Sequence, residues 1–299
     1  MSNLISVWLK LLEVGWKKMR NDFAIFIMSY KRANNIYTLH SLKNANYTGQ
    51  YYIVVGDDDP TLDRYKELYP NNLLVFNKEE IGKTFDLCDS GGSKKVIVYA
   101  RNYCFQAAKE LGLKYFAEFD DDYTSFEYRY EDGDKLKVMK SKEFDKVVDI
   151  FIDFLEDTNA LTVAFAQGGD LIGGVNGSKF KQKLLRKAMN SFFCKTDNPF
   201  QFFGRINEDV NTYVQLGKIG KLILTAVDCS LVQKPTQKNK GGMSDTYNDD
   251  GTYIKSFYTV MTNPSCVKID AMATEHTRIH HKINWNNAVP KIINEHYKK

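Results

Sequence analysis

Residues 23–28, FAIFIM, form an unbroken apolar run, the pattern of a strand covered on both faces. Polar SYKR follows, and the spacing then predicts a helix over 34–43. A second apolar run, YYIVV at 51–55, ends in Gly56-Asp57-Asp58-Asp59-Pro60. A helix over 61–68 and a strand over 73–76 come next, then a polar, glycine-rich loop at 89–95. The pattern predicts a helix over 101–111, halted at Gly112. YFAEF at 115–119 reads as a fourth strand, ending at Asp120-Asp121-Asp122. Such strand–helix alternation predicts a mostly parallel sheet with right-handed crossovers.

Beyond residue 122 the order changes. Two short runs, 126–130 and 136–139, flank Glu131-Asp132-Gly133-Asp134 and read as a hairpin. A helix over 142–155, a strand over 161–166, a glycine-rich stretch at 168–178 and a strand at 192–194 follow. A helix over 207–216 and a strand over 222–226 lead to a long polar segment, 233–250, expected to be a mobile loop. Leu4, Ile5, Trp8, Leu11, Leu12 and Trp16 recur at helical spacing, so residues 1–21 are expected to form an amphipathic helix packed on the domain. With no internal repeat and no clear linker, the expectation is one α/β domain over 1–299, a mixed and mostly parallel sheet flanked by helices.

Composition narrows the function classes. The 299 residues are 43% hydrophobic and 26% charged, as in ordinary globular chains. A net charge of +4 permits a polyanionic partner without demanding one. Cys88, Cys104, Cys194, Cys229 and Cys266 are scattered, with no CxxC; this fits a reducing cytoplasm and disfavours a zinc knuckle. No apolar run is long enough to span a bilayer, so no membrane association is expected. Walker A and GxGxxG patterns are missing, and His276 and His280 lack the intervening Glu of a zinc protease.

Four constellations carry candidate chemistry. Asp120-Asp121-Asp122 lies at a carboxyl strand end, where open parallel sheets bind ligands. Three adjacent carboxylates repel, and a hard cation, Mn²⁺ or Mg²⁺, relieves the repulsion. Asp57-Asp58-Asp59 is a rival triplet, but Asp59-Pro60 and Asp63 read as a turn and helix start. Arg101-Asn102 opens a helix and suits an anion or a base edge, or is simply a first turn. Glu208-Asp209 reads either as helix capping or as a general base with its neighbour. His276, His280 and His281 are candidate extra metal ligands.

In their order, the SYKRA, VVGDDD, ARN and FDDD segments resemble the metal-dependent nucleotide-sugar glycosyltransferases of the GT-A fold, over about residues 23–285. The GGMSDTY and RIHHKINW segments are similar to the phage branch that glycosylates hypermodified DNA bases, the TET-associated glycosyltransferases. The resemblance implies a GT-A-like sheet with a nucleotide-sugar half at 22–122 and an acceptor half at 123–299. It implies a DxD metal pair, Asp120 and Asp122, although the triplet also offers Asp121 and Asp122, with His280 or His281 completing the shell. Donor contacts are expected from Ser29, Lys31, Arg32, Asp57, Arg101, Asn102, Asp120, Asp121, Lys240, Gly241 and Gly242. Asp209, with Glu208, is the expected catalytic pair.

The implied donor is a nucleoside-diphosphate sugar, UDP-linked by expectation, and the implied acceptor is 5-hydroxymethylcytosine in DNA. Lys179, Lys183 and Arg186 fall on one side of a helix and can follow a phosphate backbone; a solvated helix face is the plainer reading. Phe203 and its aromatic neighbours Phe200 and Phe202 are candidates for stacking on an extruded base, or core. Transfer to a polysaccharide, lipid or protein, sugar nucleotidyl transfer, and an inactive nucleic-acid-binding module are the alternatives. A phage-encoded enzyme would work in the host cytoplasm.

Overall fold

The computed structural model describes residues 19–89, 95–177, 187–234, 243–272 and 278–288. Among them, nine strands form one mixed sheet in the order β3-β2-β1-β4-β8-β7-β9-β5-β6. The first half is parallel: β1 (Phe23–Met28) lies between β2 (Gln50–Gly56) and β4 (Tyr115–Asp120), with β3 (Leu73–Phe76) at the edge. Every residue of β1 is buried, as its unbroken apolar run predicts. Antiparallel β8 (Ser191–Lys195) then joins β4 to β7 (Thr162–Ala166).

β9 (Ile223–Gln233) changes partner along its length. Its first residues run parallel to β7, a register shift follows at Phe165/Ala166, and residues 229–233 pair antiparallel with β5 (Tyr123–Asp132). β5 and β6 (Lys135–Lys140) form the predicted hairpin. The long β9 thus carries the sheet onward until β5, which begins three residues after β4 ends, finds its place.

Helices cover both faces. On one, α1 (Tyr37–Asn44), α2 (Leu62–Leu68) and α5 (Phe144–Thr158) enclose a core that includes Ile25, Ile53, Phe119, Phe151 and Phe193. On the other, α4 (Val98–Glu110) and α6 (Glu208–Lys218) pack over Phe26, Val54, Phe116 and Phe192. A short α3 (Lys78–Gly82) precedes α4, capped by the Asn77 side chain accepting from Glu80 N–H. Phe119, Tyr123, Phe126, Phe144 and Phe165 are in ring contact at 4.4–6.2 Å. Their packing fixes the chain immediately before and after Asp120–Asp122.

Two expectations are corrected. The segment 233–250 is not one loop: Gln233 ends β9, and Met243 opens the long helix α7 (Met243–Thr262). Its polar sequence hides an amphipathic continuation in which Tyr258 packs fully buried. The first helix starts at Tyr37, not 34, because residues 29–36 are held in turns by Asp59, Tyr65 and Asp121. A two-stranded sheet, β10 (Val267–Met272) with β11 (Arg278–Ile283), was not anticipated. The expected helix over 1–21 lies almost wholly outside the described residues.

Candidate active site

The turn from β4 to β5 is built from one end of α1. Thr38 Oγ1 donates to Asp120 O at 2.5 Å and accepts Tyr123 N–H at 3.0 Å, while Ser41 Oγ donates to Tyr123 O. The carboxylates then diverge. Asp121 turns inward, 3% exposed, and accepts from Ser29 Oγ (2.6 Å) and Arg32 Nη1 (2.5 Å). Asp120 and Asp122 stay partly exposed. Burial raises both, Asp120 further through the Asp122, Glu208 and Asp121 charges and Asp122 through the Asp121 charge; Arg101 opposes the shift at Asp120, and Arg32 and Lys234 oppose it at Asp122.

Arg101 joins this turn to α6. The residue is 1% exposed, and its guanidinium faces three carboxylates: Nε to Glu208 Oε1 at 2.9 Å, Nη2 to Asp120 Oδ1 at 3.2 Å and Nη1 to Glu118 Oε2 at 3.4 Å. The Phe192 and Phe202 rings lie 5.0 and 5.6 Å from its central carbon. Glu118, on β4, is fully buried, and burial pushes its carboxyl up to about 8 against the pull of Arg101.

The Glu208-Asp209 pair opens α6 from a bent entry. Gly204 has φ +85°, and a Cβ there would meet Asn211 Nδ2 at 2.5 Å. Asn207 is left-handed at φ 55°, and its amide donates to Lys255 O and Thr259 Oγ1 of α7. Asp209 is 9% exposed and accepts Val210 N–H at 2.8 Å. Burial, then the Glu208 charge, pushes Asp209 up to about 6. A carboxylate so placed is basic enough to take a proton near neutral pH.

Asp120 and Asp122 fit a divalent cation in donor chemistry. Both offer hard oxygen, both are raised by burial and by neighbouring carboxylate charge, and the buried Asp122 Oδ1 has no hydrogen-bond partner. Among the described residues no three His, Cys, Asp or Glu side chains gather into a complete metal shell. His280 and His281 lie on β11, opposite Asp270 and Ile269. His281 Nδ1 is buried without a partner, and burial, with His280 and Lys255 adding, holds the imidazole down to about 3.

The remaining expected residues are scattered. Lys31 is exposed with φ 58°, its N–H bound to Asp59. Asp59 also accepts Thr61 N–H, so the rival triplet does form a turn and helix start. Asp57 accepts from Asn77 Nδ2 and Lys78 N–H at the β2 edge. Asn102 exchanges two hydrogen bonds with the Phe202 backbone, fixing the segment that leads to Glu208. Phe202 is core, Phe200 meets Phe105 edge to face, and Phe203 is half-buried. Lys179, Lys183, Arg186, Lys240, Gly241, Gly242 and His276 lie outside the described residues. Lys187 pairs with buried Asp170. No helix among the described residues is long and apolar enough to cross a membrane.

Two residues escaped the sequence reading. Glu118 is the lone charge inside the apolar run YFAEF, a signal that was present. Lys234 follows the last residue of β9, its N–H on Asp122 O at 3.2 Å and its Nζ 3.4 Å from the Tyr37 ring centre. Its importance arises from strand pairing and has no local signature.

No curated protein sequence matches the chain. The solved structures it resembles include glucosyl-3-phosphoglycerate synthase from Mycobacterium tuberculosis with Mg²⁺ and UDP, at 8% identity, 87% coverage of both chains and a TM-score of 0.43. Another is the same synthase with Mn²⁺, UDP-glucose and phosphoglyceric acid, at 8% identity, 93% and 91% coverage and a TM-score of 0.42. The sequence profile of the TET-associated glycosyltransferases matches residues 23–242, most of the chain and all of the residues from β1 through β9, so the chain belongs to that family and is a glycosyltransferase.

Proposed function

We propose that the enzyme moves a sugar from a nucleoside-diphosphate sugar, UDP-linked, to the hydroxyl of 5-hydroxymethylcytosine in DNA. The observation that carries the reading is the juxtaposition through Arg101 of two carboxylate groups with different surroundings: Asp120, beside Asp122 and its unpartnered oxygen, and the Glu208-Asp209 pair. The family's name supports the acceptor.

Asp120 and Asp122 would hold Mn²⁺ or Mg²⁺, which supplies neutralising charge for the departing diphosphate. Lys234, at the rim beside Asp122, adds a positive charge on the same side. Ser29, Arg32 and Asp121 brace the turn, and Lys31 and Asp57 lie at neighbouring strand ends of the parallel half, where a nucleotide would lie. Asp209 takes the acceptor hydroxyl proton in an inverting course, or orients the acceptor in a retaining one. Lys179, Lys183 and Arg186 are proposed to contact the DNA phosphates, and Phe203 the base.

The test is a donor and acceptor screen. The protein is mixed with Mn²⁺, a series of nucleotide sugars, and duplexes bearing cytosine or 5-hydroxymethylcytosine; nucleoside diphosphate release and mass of the DNA are measured. Sugar on hydroxymethylated DNA alone is expected. Transfer to an oligosaccharide, lipid or protein, and none to hydroxymethylated DNA, removes the acceptor and leaves the glycosyltransferase.

A further inference from the structure

We infer that Arg101 is a positioning residue that locks the metal-side carboxylate Asp120 to the acceptor-side pair Glu208-Asp209, and that it does not touch the donor. The inference rests on the proposed roles of Asp120 and Asp209.

The geometry leaves the guanidinium no free approach. All three of its nitrogens face carboxylates, one each from Glu118, Asp120 and Glu208, and the residue is 1% exposed. Phe192 and Phe202 flank the group. A nucleotide phosphate has no open edge of this fork to bind, so the arginine at the start of α4 acts through its carboxylates.

Three carboxyl groups share one buried cation. Such a cluster is a weak source of stability, since an apolar replacement of a buried ion cluster is often as stable. What the fork does supply is direction. A planar guanidinium fixes the carboxylates it binds in angle as well as distance, which a lysine ammonium does not. Asp120 ends β4 and Glu208 begins α6, elements separated by 88 residues of chain; Arg101 is the one side chain the described residues show bonded to both. A shift of Glu208 is therefore felt at Asp120, and metal affinity and acceptor alignment are mechanically linked.

The test compares wild type with Arg101→Lys and Glu208→Gln. Mn²⁺ binding is followed by electron paramagnetic resonance, UDP binding at saturating Mn²⁺ by calorimetry, and folding by thermal unfolding. Arg101→Lys is expected to weaken Mn²⁺ binding by about tenfold while UDP affinity at saturating Mn²⁺ stays within about threefold of wild type, the scale of losing one charge-assisted contact. Glu208→Gln, which touches no metal ligand, is expected to weaken Mn²⁺ binding by about threefold or more, and to add little once Arg101 is lysine, since linked residues are not additive. UDP affinity that stays low in Arg101→Lys at saturating Mn²⁺ would make Arg101 a donor contact and overturn the inference. So would a Glu208→Gln protein that binds Mn²⁺ like wild type, a result readable even if Arg101→Lys fails to fold. A wild-type protein that binds no Mn²⁺ and turns over without it would overturn both this inference and the metal reading beneath it.

Discussion

Ser29 Oγ lies 2.6 Å from Asp121 Oδ2, across 92 residues of chain. The middle carboxylate of the acidic triplet is thereby committed to holding the β1 loop, with Arg32 as its second partner. This separates the two overlapping choices the sequence offered for a metal pair and favours Asp120 with Asp122. Asp121→Ala is expected to cost about 3 kcal/mol, as loss of one partner of a buried ion pair does. Urea unfolding measures the loss; wild-type stability in that variant would show the pair to be idle.

Asp122→Ala should behave in the opposite way. Its Oδ1 has no hydrogen-bond partner and removing it relieves repulsion, so the unfolding midpoint is expected to stay or rise in metal-free buffer. Asp120→Ala also strips the buried Arg101 of a carboxylate and is expected to lower it. Turnover with Mn²⁺ should fall below detection in both. Full activity of either variant in the presence of EDTA would end the metal reading.

Asp209 must be ionised to accept a proton, and burial pushes it up to about 6. With donor, acceptor and Mn²⁺ saturating, kcat should therefore fall about tenfold per pH unit below that value. Asp209→Asn should lower kcat by about 10²-fold or more and abolish this acid limb, with UDP binding retained. An acid limb that survives the substitution belongs to another group.

Glu118 gives a stability prediction of definite sign. Burial lifts its folded value to about 8, above the ordinary 4.5 of the unfolded chain. A raised carboxyl binds its proton more tightly when folded, so its contribution is complete below the unfolded value. It is lost as pH rises through about 8. Metal-free protein should lose stability between about pH 5 and 8, and Glu118→Gln should flatten that slope. Denaturant midpoints across this range decide the matter; a slope unchanged in the variant would acquit Glu118.

The parallel half was legible because each strand announces itself locally. FAIFIM is buried on both faces and reads so, and the Gly112 stop and the hairpin turn at Gly133 are local backbone signals. The acidic elements were legible for the same reason. What the sequence hid was pairing at a distance. Nothing around Lys234 says that β9 will extend past Ala226 to meet β5, and nothing around Arg101 says that its fork will be filled by Glu118 and Glu208. The polar start of α7 also misled, because a helix anchored by Tyr258 tolerates a hydrophilic first half.

The chain leaves β4 at Asp120 and enters β5 at Tyr123, and those strands lie four places apart in the sheet order. The acidic turn is therefore where the parallel run of the sheet, β3-β2-β1-β4, ends. Exposed loop tips are where chains tolerate cutting, permutation and insertion. The acidic turn is the reverse case. A split-enzyme reporter, a permuted terminus or an inserted module placed at residues 121–122 would open the chain between the two carboxylates, whereas the tip of the β5–β6 hairpin at Gly133 is exposed and remote from them in sequence. The place where the parallel run of the sheet stops is the place where the chain can least be opened.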